Sequence, residues 1–374
     1  MGAAPLGELA PPGNDRDLQF MRRALEVAER GAGQVAPNPK VGAVVVQDER
    51  VIAEGWHPRY GDEHAEAMAL RIAGERARGT TVYVTLEPCN HHGKTPPCAA
   101  ALIAAGVTRV VYAVADPDDV ARGGASVLAA AGIDVHAGVL AVEASEVNAP
   151  FLFAASGATR PFVTLKLAIS IDGAIVGASR ARTQLTGAES RAAVHRLRAD
   201  ADAIAVGAET ALQDDPELTV RDAPAPRVAP ARVVFDRAAR LRLESVMVRT
   251  ARDVPVLLVT DGRRPEAEAR LARQGVTVIQ AGGLPDALVQ LRRHGIRHLL
   301  VEGGASLAAA LVTAGLVDRL ITFQAPVILG SGALPAFAGL SSPLRLSLVS
   351  RREYGPDLMS VFRFDGISSD VAGL

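Results

Sequence analysis

Four residues in three segments of the chain have the types and spacing of a catalytic metal site. His64 and Glu66 stand two positions apart, and Cys89 and Cys98 follow further along the chain. One imidazole and two thiolates form a Cys₂His ligand set, which leaves the fourth tetrahedral position of Zn²⁺ open for water, as catalytic zinc sites require. The spacing therefore predicts a catalytic zinc site with His64, Cys89 and Cys98 as its ligands.

Glu66 is the predicted catalytic residue of this site. It lies two residues from a ligand, so its carboxylate is placed beside the metal without having to bind it. Zinc lowers the pKa of bound water towards about 7, and an adjacent carboxylate can take that proton and deliver it to a leaving amine. An H-x-E segment followed by Pro-Cys is typical of zinc deaminases that act on bases, although here eight residues rather than two separate Cys89 from Cys98.

A structural zinc site is the first alternative. His91 or His92 would then supply a fourth ligand and close the coordination sphere. Both histidines lie inside the loop between the cysteines, where ligation together with them would be strained. A non-catalytic, zinc-stabilised binding protein is a second alternative, against which Glu66 and the open coordination position argue.

Composition bounds the size, partners and location of the protein. Its 374 residues suit two domains at roughly 100–200 residues each. Forty basic residues against 41 acidic ones leave no basic surplus, so binding to nucleic acid or to an anionic membrane is not expected. The first residues lack the pattern of a secretory signal, and no apolar run is long enough to span a membrane. We therefore expect a cytoplasmic enzyme, in which the two cysteines bind metal rather than form a disulfide.

Alternating strand and helix patterns predict α/β layers around the predicted zinc site. Residues 1–15 are rich in Ala, Pro and Gly and are expected to form a flexible tail, and residues 148–160 are expected to form a linker. The first domain is placed at residues 16–150. Its predicted order is a helix from Asp17, two paired strands (41–47 and 51–56), a helix (64–75), a strand (81–88), a helix (98–106), a strand (109–117), a helix (125–133) and a strand (134–140).

The second half repeats the alternation and is placed at residues 160–374, and within it residues 203–210 are expected to form a strand followed by a turn. Its last two strand patterns, 344–355 and 357–364, predict an antiparallel hairpin and hence a mixed sheet. Lys166 lies mid-strand among apolar neighbours, where an unpaired ammonium would be costly, so a substrate or an acidic partner is expected beside it. The Glu302-Gly303-Gly304 segment reads as a strand, a glycine turn and a helix start, whose N–H groups can hold a cofactor phosphate.

Longer motifs resemble one family over both halves of the chain. The string EPCNHHGKTPPC at 87–98, with PNPKVG at 37–42 upstream, resembles the deaminase half of the bifunctional riboflavin-biosynthesis deaminase/reductases, the RibD family. The strings TLKLAISIDG (164–173), RLRADADAIAVGAETALQDDPELTVR (196–221) and VEGGASL (301–307) are similar to its reductase half. The resemblance implies a cytidine-deaminase-like three-layer N-terminal domain and a C-terminal domain like dihydrofolate reductase.

The resemblance also implies a reaction sequence and cofactors. Zinc-dependent hydrolysis would remove the 2-amino group of 2,5-diamino-6-(5-phosphoribosylamino)pyrimidin-4(3H)-one. A hydride from NADPH would then reduce C1 of the ring-opened ribose, giving the ribityl phosphate. The partners expected on this basis are a small phosphorylated pyrimidine and further copies of the chain, with no nucleic acid and no membrane.

The family pattern carries roles onto particular residues of this chain. The substrate-binding residues implied for the deaminase half are Asn38, His91 and Lys94. Those implied for the reductase half are Lys166, Arg182, Arg198, Leu218, Arg221 and Glu302. The implied cofactor-binding residues are Ala168, Gln184, Thr210, Asp214, Gly303 and Gly304.

One segment departs from the family pattern. After the Asp-Gly pair the family reads Gly-x-Ser-x-Trp-Ile-Thr, whereas this chain has Arg180, Arg182 and Gln184 at the three distinctive positions. Gln184 offers less apolar area to the cofactor than tryptophan does, and Arg182 is expected to grip the substrate phosphate. The alternatives are a deaminase whose reductase half has drifted and a nucleic-acid base deaminase, such as a tRNA-editing enzyme, which shares the H-A-E and P-C motifs.

Overall fold

The computed structural model describes residues 14–91, 96–118, 120–179, 184–340 and 342–364. These residues form two units, which divide between Ser156 and Gly157. Most of the predicted tail, 1–13, lies outside the described residues. Its end was wrongly predicted, because Asp15 begins the first helix and the Asn14 side chain accepts a hydrogen bond of 2.9 Å from the Asp17 N–H.

The first unit alternates helices with the strands of one sheet. Its elements are α1 (Asp15–Ala28), β1 (Gly42–Gln47), β2 (Arg50–Trp56), α2 (Ala65–Ala73), β3 (Thr81–Leu86), α3 (Cys98–Ala105), β4 (Arg109–Val114), α4 (Gly124–Ala130), β5 (Asp134–Ala137), α5 (Ala141–Val147) and α6 (Ala149–Ala155), with 3₁₀ turns at Glu29–Gly31 and Gly74–Ala77. The strand order is β2-β1-β3-β4-β5, with β1 antiparallel to both neighbours and the pairs β3–β4 and β4–β5 parallel. The predicted strands and helices of this half are confirmed.

Helices cover both faces of this sheet. On one face α2, α3 and α4 bury alanines and leucines such as Ala69 and Leu102 against Val45 and Val84. On the other face α1, α5 and α6 pack against alternate residues of the same strands. Successive side chains of a strand point to opposite faces, so two apolar layers form around one sheet. The predicted cytidine-deaminase-like three-layer domain is confirmed.

A buried polar cluster fixes α1 to the sheet. Asp17 accepts a hydrogen bond of 2.7 Å from the Tyr83 hydroxyl and bonds of 2.8 and 2.9 Å from the Arg109 guanidinium. The hydrogen bonds from Arg109 outweigh burial and hold the pKa of Asp17 below its usual value. Removal of the carboxylate would leave the buried Tyr83 hydroxyl and the half-buried Arg109 guanidinium without this acceptor.

The predicted linker contains a helix. α6 occupies residues 149–155, begins with Pro150 near its N-terminus and buries Leu152 in the core of the first unit. The expectation of irregular chain across 148–160 was therefore wrong. Pro150 favours the first turn of a helix because its missing N–H would have no intrahelical partner there, and the sequence analysis took it only as a loop signal.

The second unit is built on a nine-stranded sheet. Its elements are β6 (Phe162–Ile169), β7 (Ala174–Val176), α7 (Ala188–Ala199), β8 (Ala203–Gly207), α8 (Ala208–Asp214), β9 (Ala231–Phe235), α9 (Val246–Arg249), β10 (Val256–Thr260), α10 (Pro265–Arg273), β11 (Thr277–Gln280), α11 (Leu284–Arg293), β12 (His298–Val301), α12 (Ala305–Thr313), β13 (Arg319–Gln324), β14 (Leu334–Pro335), β15 (Leu346–Tyr354) and β16 (Asp357–Phe364). The strand order is β11-β10-β9-β8-β12-β6-β13-β16-β15, and β7 pairs with β14.

The large sheet is mixed, as predicted. Its strands are parallel from β11 to β13, whereas β16 is antiparallel to both β13 and β15. α11 and α12 cover one face, and α7, α8, α9 and α10 cover the other. This is the predicted domain like dihydrofolate reductase. The turn expected after β8 is the helix α8, and α10 was not predicted.

Among the residues that the structure describes, no helix combines the length and the apolar character needed to cross a membrane.

We expect replacement of Asp17 by alanine to destabilise the first unit by about 3 kcal/mol, because breaking a buried ion pair leaves its partner uncompensated. Urea unfolding followed by the fluorescence of Trp56, the one tryptophan of the chain, reports on this unit. The control is Arg16→Ala, which removes an exposed ion pair with Glu49 and should change the free energy of unfolding by less than about 0.5 kcal/mol. Equal effects of the two variants on the free energy of unfolding would contradict the role of Asp17 in fixing α1 to the sheet.

Candidate functional site

Three elements of the first unit bring the predicted zinc ligands together. His64 is the N-cap of α2, Cys89 follows β3, and Cys98 is the first residue of α3. The His64 Nδ1 atom lies 3.5 Å from the Cys89 Sγ and 3.3 Å from the Cys98 Sγ. One nitrogen and two sulfur atoms, all within 4.8 Å of one another, are a donor set that fits Zn²⁺.

The two cysteines are free thiols held close to each other. The Cys98 N–H donates to the Cys89 Sγ at 3.4 Å. Hydrogen bonding from the Cys98 thiol, together with the neighbouring His64, lowers the pKa of Cys89, while the same contact and burial raise the pKa of Cys98. A thiolate is therefore favoured at Cys89, and thiolates are the form in which cysteine binds metals.

Glu66 lies in the first turn of α2 and is buried beside the ligands. Its carboxyl group interacts with the Cys98 thiol, and burial raises the pKa of Glu66 to about 7. A zinc ion acts in the opposite direction, because a nearby cation favours the carboxylate. The arrangement can hold a proton at a buried carboxyl oxygen.

A cavity of about 290 Å³ opens in front of these residues. Its walls include Asn38, His57, His91 and Asp116. The Nδ1 atom of His91 is buried and has no hydrogen-bond partner within the described part of the chain. The predicted Lys94 lies outside the described residues.

His57 is a cavity residue that the sequence analysis missed. Its Nδ1 lies 3.0 Å from the Glu63 carbonyl oxygen, so this nitrogen carries the proton and donates it. Its Nε2 lies 3.2 Å from the Asn38 amide nitrogen and therefore accepts a hydrogen bond, which fixes the orientation of that amide. One signal was available in the sequence. His57 directly follows the strand pattern at 51–56 and comes shortly before the predicted ligand His64.

Glu87 supports the loop that carries Cys89. Its carboxylate accepts hydrogen bonds from the N–H groups of Asp116 (3.2 Å), Gly123 (3.0 Å) and Ala125 (3.1 Å). A Cβ atom at Gly124 would lie 1.8 Å from the Pro88 carbonyl oxygen, so only glycine allows α4 to approach this loop. The ligand loop is thus anchored by backbone contacts as well as by the cysteines.

In the second unit, α7 and the turn after β12 meet in a buried ion pair. Arg198 donates to the Glu302 carboxylate through Nε (2.5 Å) and Nη2 (3.0 Å), and to the Thr219 carbonyl oxygen through Nη1 (2.9 Å). Burial acts to raise the pKa of Glu302, but the hydrogen bonds from Arg198 outweigh it and the pKa lies below its usual value. Three of the five guanidinium N–H groups are used, which leaves two for a ligand.

Lys166 lies beside this pair on β6. Its burial lowers the pKa of Lys166, whereas the Glu302 carboxylate acts to raise it. The Nζ atom lies 5.8 Å from the centre of the Phe323 ring and has no hydrogen bond or ion pair within the described ranges. The structure therefore brings the predicted Lys166, Arg198 and Glu302 together and leaves the lysine ammonium available.

The glycine turn after β12 lies against α8. Gly304 is the N-cap of α12, whose first N–H groups have no intrahelical acceptor. A Cβ atom at Gly304 would lie 3.4 Å from the Thr210 hydroxyl oxygen of α8, and one at Gly303 would lie 3.1 Å from the Leu307 side chain. The Thr210 hydroxyl and the N–H groups of the turn thus lie close together, and they are donors of the kind that bind a cofactor phosphate.

The remaining predicted reductase residues are more scattered. Ala168 is half-buried on β6, and Asp214 is half-buried at the end of α8. Leu218 is buried, whereas the side chains of Arg221 and Gln184 are exposed. Arg182 and the neighbouring Arg180 lie outside the described residues.

Known families match both halves of the chain. Residues 14–114 match the cytidine and deoxycytidylate deaminase zinc-binding region, and residues 161–360 match the RibD C-terminal domain. Riboflavin biosynthesis protein RibD of Escherichia coli is 40% identical over 365 residues, covering 92% of this chain and 98% of that protein. RibD of Aquifex aeolicus is 39% identical over 354 residues, covering 93% of this chain and 98% of that protein. The chain belongs to the RibD family.

Solved RibD structures match both halves of the chain. Acinetobacter baumannii RibD, form 1, has a TM-score of 0.76 at 36% identity and covers 93% of this chain and 99% of that one. A deaminase/reductase from Thermotoga maritima has a TM-score of 0.77 at 34% identity, with the same coverage. This member of the RibD family is thus a bifunctional enzyme of riboflavin biosynthesis, with zinc and NADPH as cofactors. Relatives of this type match across both halves, so a nucleic-acid base deaminase is not supported.

The protein prepared without chelators should contain about one zinc ion per chain, and His64→Ala should lose most of it because two thiolates alone make a weak site. Zinc can be measured by a chromogenic chelator on the unfolded protein. His136→Ala, an exposed histidine of the same unit, is the matched control and should keep its zinc. Full zinc content in His64→Ala, or a fourth protein ligand such as His91 in a zinc-bound crystal structure, would contradict the predicted open site.

Proposed function

We propose that residues 16–150 carry out the deamination with His64, Cys89 and Cys98 as zinc ligands and Glu66 as the catalytic residue. The substrate is 2,5-diamino-6-(5-phosphoribosylamino)pyrimidin-4(3H)-one, whose 2-amino group is replaced by oxygen. The observation that carries this proposal is the convergence of the three ligand atoms with a buried carboxyl group on the wall of one cavity. Bound zinc supplies positive charge that lowers the pKa of a water molecule at the site.

Glu66 moves the proton that this hydrolysis requires. Its carboxylate takes a proton from the attacking water as the bond from oxygen to ring carbon 2 forms. It returns that proton to the amino nitrogen as the carbon–nitrogen bond breaks, and ammonia leaves. The second proton of the water moves from the new hydroxyl oxygen to the ring nitrogen, so water and amine are converted to carbonyl and ammonia with no net change at Glu66. Burial of Glu66 keeps bulk water away from the carboxyl oxygen during this transfer.

Asn38 and His91 hold the pyrimidine nucleotide in this proposal. The Asn38 amide is oriented by His57, so that its oxygen is available to a donor on the base. The unpaired Nδ1 of His91 is available to the ribose or the phosphate. Lys94 contributes an ammonium to the phosphate, a role taken from the family pattern alone.

Residues 160–374 reduce the product of the first reaction. NADPH supplies a hydride to C1 of the ring-opened ribose. Lys166 and the two remaining N–H groups of Arg198 are placed to bind substrate oxygens, and Glu302 sets the position of Arg198. Leu218, Arg221 and Arg182 complete the substrate side, with Arg182 on the phosphate. Ala168, Gln184, Thr210, Asp214, Gly303 and Gly304 form the cofactor side.

The enzyme is proposed to work in the cytoplasm as a homo-oligomer on small molecules. A reducing compartment keeps the Cys89 and Cys98 thiols available for zinc. The edge of the large sheet supports self-association, because β15 is the last strand and exposes Leu346 and Leu348 to solvent. The near balance of 40 basic and 41 acidic residues supports the expectation that nucleic acid and membranes are not partners.

Glu66→Gln should lower the deaminase kcat by at least about a hundredfold, because the amide cannot carry the proton. Ammonia release measures this loss, while zinc content and the NADPH-dependent reduction of the deaminated substrate should stay at the parent level. Glu75→Gln, an exposed residue of the following 3₁₀ turn, serves as the control. Loss of both activities together would show a coupling that this proposal does not contain.

Gln184→Trp should tighten NADPH binding about fivefold, which corresponds to about 1 kcal/mol from one added aromatic contact. Fluorescence titration with NADPH measures the dissociation constant. Gln274→Trp places the same side chain in an exposed turn of the same unit and should leave it unchanged. No tightening in Gln184→Trp would place residue 184 away from the cofactor.

A further inference from the structure

A histidine on α7 holds the backbone of the segment that contains Leu218 and Arg221. His195 is buried, and its Nδ1 atom lies 3.1 Å from the Arg221 backbone N–H, which donates to it. Because Nδ1 accepts, the proton of the neutral imidazole must reside on Nε2, which lies 3.9 Å from an Asp222 carboxylate oxygen. The contact therefore requires one tautomer of the uncharged ring.

The segment held by His195 has a backbone that needs external support. Asp215 and Leu218 have φ angles of 37° and 51°, in the left-handed region that residues with a side chain rarely adopt. One turn further along α7, Arg198 donates to the Thr219 carbonyl oxygen at 2.9 Å. Two side chains on one face of α7 thus fix the segment at Thr219 and at Arg221.

We propose that His195 is a positioning residue of the reductase, which sets the Leu218–Arg221 segment against the substrate only while its imidazole is uncharged. This inference rests on the proposed substrate-side role of Leu218 and Arg221. Protonation adds a hydrogen to Nδ1, so that the Arg221 N–H loses its acceptor and faces a second donor. Of the two hydrogen bonds from α7 to the segment, only that from Arg198 then remains, and the substrate binds more weakly.

Burial and the charged groups around His195 keep its imidazole ring neutral at ordinary pH. Burial lowers the pKa of His195, and the Arg198 and Arg221 guanidinium groups act in the same direction. The carboxylates of Asp222 and Glu302 oppose them without reversing the shift. The contact is therefore present at neutral pH and is lost as the pH falls through the lowered pKa, so the KM for the reductase substrate rises on the acid side.

Three variants of the full-length, zinc-loaded enzyme test the proposal. His195→Ala removes the acceptor, whereas His195→Asn places Oδ1 where Nδ1 stood and keeps an acceptor that does not titrate near neutral pH. His294→Ala, which removes the exposed histidine at the C-cap of α11, controls for a general effect of histidine loss. The readouts are KM and kcat for NADPH-dependent reduction from about pH 5 to about pH 8, and hydrogen exchange of the peptide that contains residues 216–222. Deaminase activity in the same samples checks the integrity of the chain.

His195→Ala should raise the KM about three- to tenfold at neutral pH, which corresponds to the loss of one hydrogen bond. The kcat should be nearly unchanged, and hydrogen exchange in the peptide should be faster. His195→Asn should restore the parent KM and exchange at neutral pH and should abolish the rise in KM on the acid side. If His195→Ala does not fold, the flat pH profile of His195→Asn is the remaining test.

Parent-like KM and exchange in His195→Ala, or an acid-side rise in KM that persists in His195→Asn, would overturn the proposal. Arg221→Ala separates this failure from failure of the assigned substrate side. An unchanged KM in Arg221→Ala, together with faster exchange in His195→Ala, would refute the substrate role of the segment and leave the positioning contact intact. A raised KM in Arg221→Ala with parent-like His195→Ala would refute the positioning role alone.

Discussion

Parallel orientation of neighbouring strands is the constraint on which both sites depend. In the first unit β2, β3 and β4 run in one direction, so the residues that follow them, His57 to His64, Glu87 to Cys89 and Asp116, meet at one edge of the sheet. In the second unit β12 lies between β8 and β6, with Val301 in register with Ala205 and Leu165. Glu302 directly follows Val301 and Lys166 directly follows Leu165, so these two residues lie close together. Ligand sites at the carboxyl ends of parallel strands are the general rule for such sheets.

Polar side chains that bond to several chain segments hold both edges in place. The Glu87 carboxylate accepts three backbone N–H groups, and the Arg198 guanidinium binds Glu302 and the Thr219 carbonyl oxygen. A buried charge is tolerated only when its hydrogen bonds are nearly complete, so each of these groups fixes the geometry of several chain segments at once. In the second unit His195 also accepts a hydrogen bond from the Leu218–Arg221 segment. This bond exists only while the imidazole ring is uncharged. Hydrogen-bonded polar side chains thus fix the loop that carries the proposed ligand Cys89 in one unit and the proposed substrate-binding segment Leu218–Arg221 in the other.

The convergence of His64, Cys89 and Cys98 was predictable from the sequence because these residue types are rare in the chain and form recognisable motifs. Cys89 and Cys98 are the two cysteines of the chain, and His64 with Glu66 forms a short motif at a helix start. His57 and Asp116 were missed because their presence in the cavity depends on which strands lie side by side, which no local pattern contains. The partners of Arg198 were missed for the same reason, since Glu302 is 104 residues away along the chain. Errors over α6 and α8 had a local cause, because Pro150 and the segment after Gly207 were taken as turn signals when both begin helices.

The most direct test of the account is the stoichiometry of the two reactions in one preparation of the chain. The parent enzyme, supplied with the diaminopyrimidine phosphate and excess NADPH, should release one ammonia for each NADPH oxidised once the reaction is complete. Equal amounts would show that both sites act in turn on the same molecules. Full release of ammonia with no oxidation of NADPH would contradict the account, because the second unit would then hold its glycine turn, Lys166 and the Arg198–Glu302 pair without performing the reduction assigned to them.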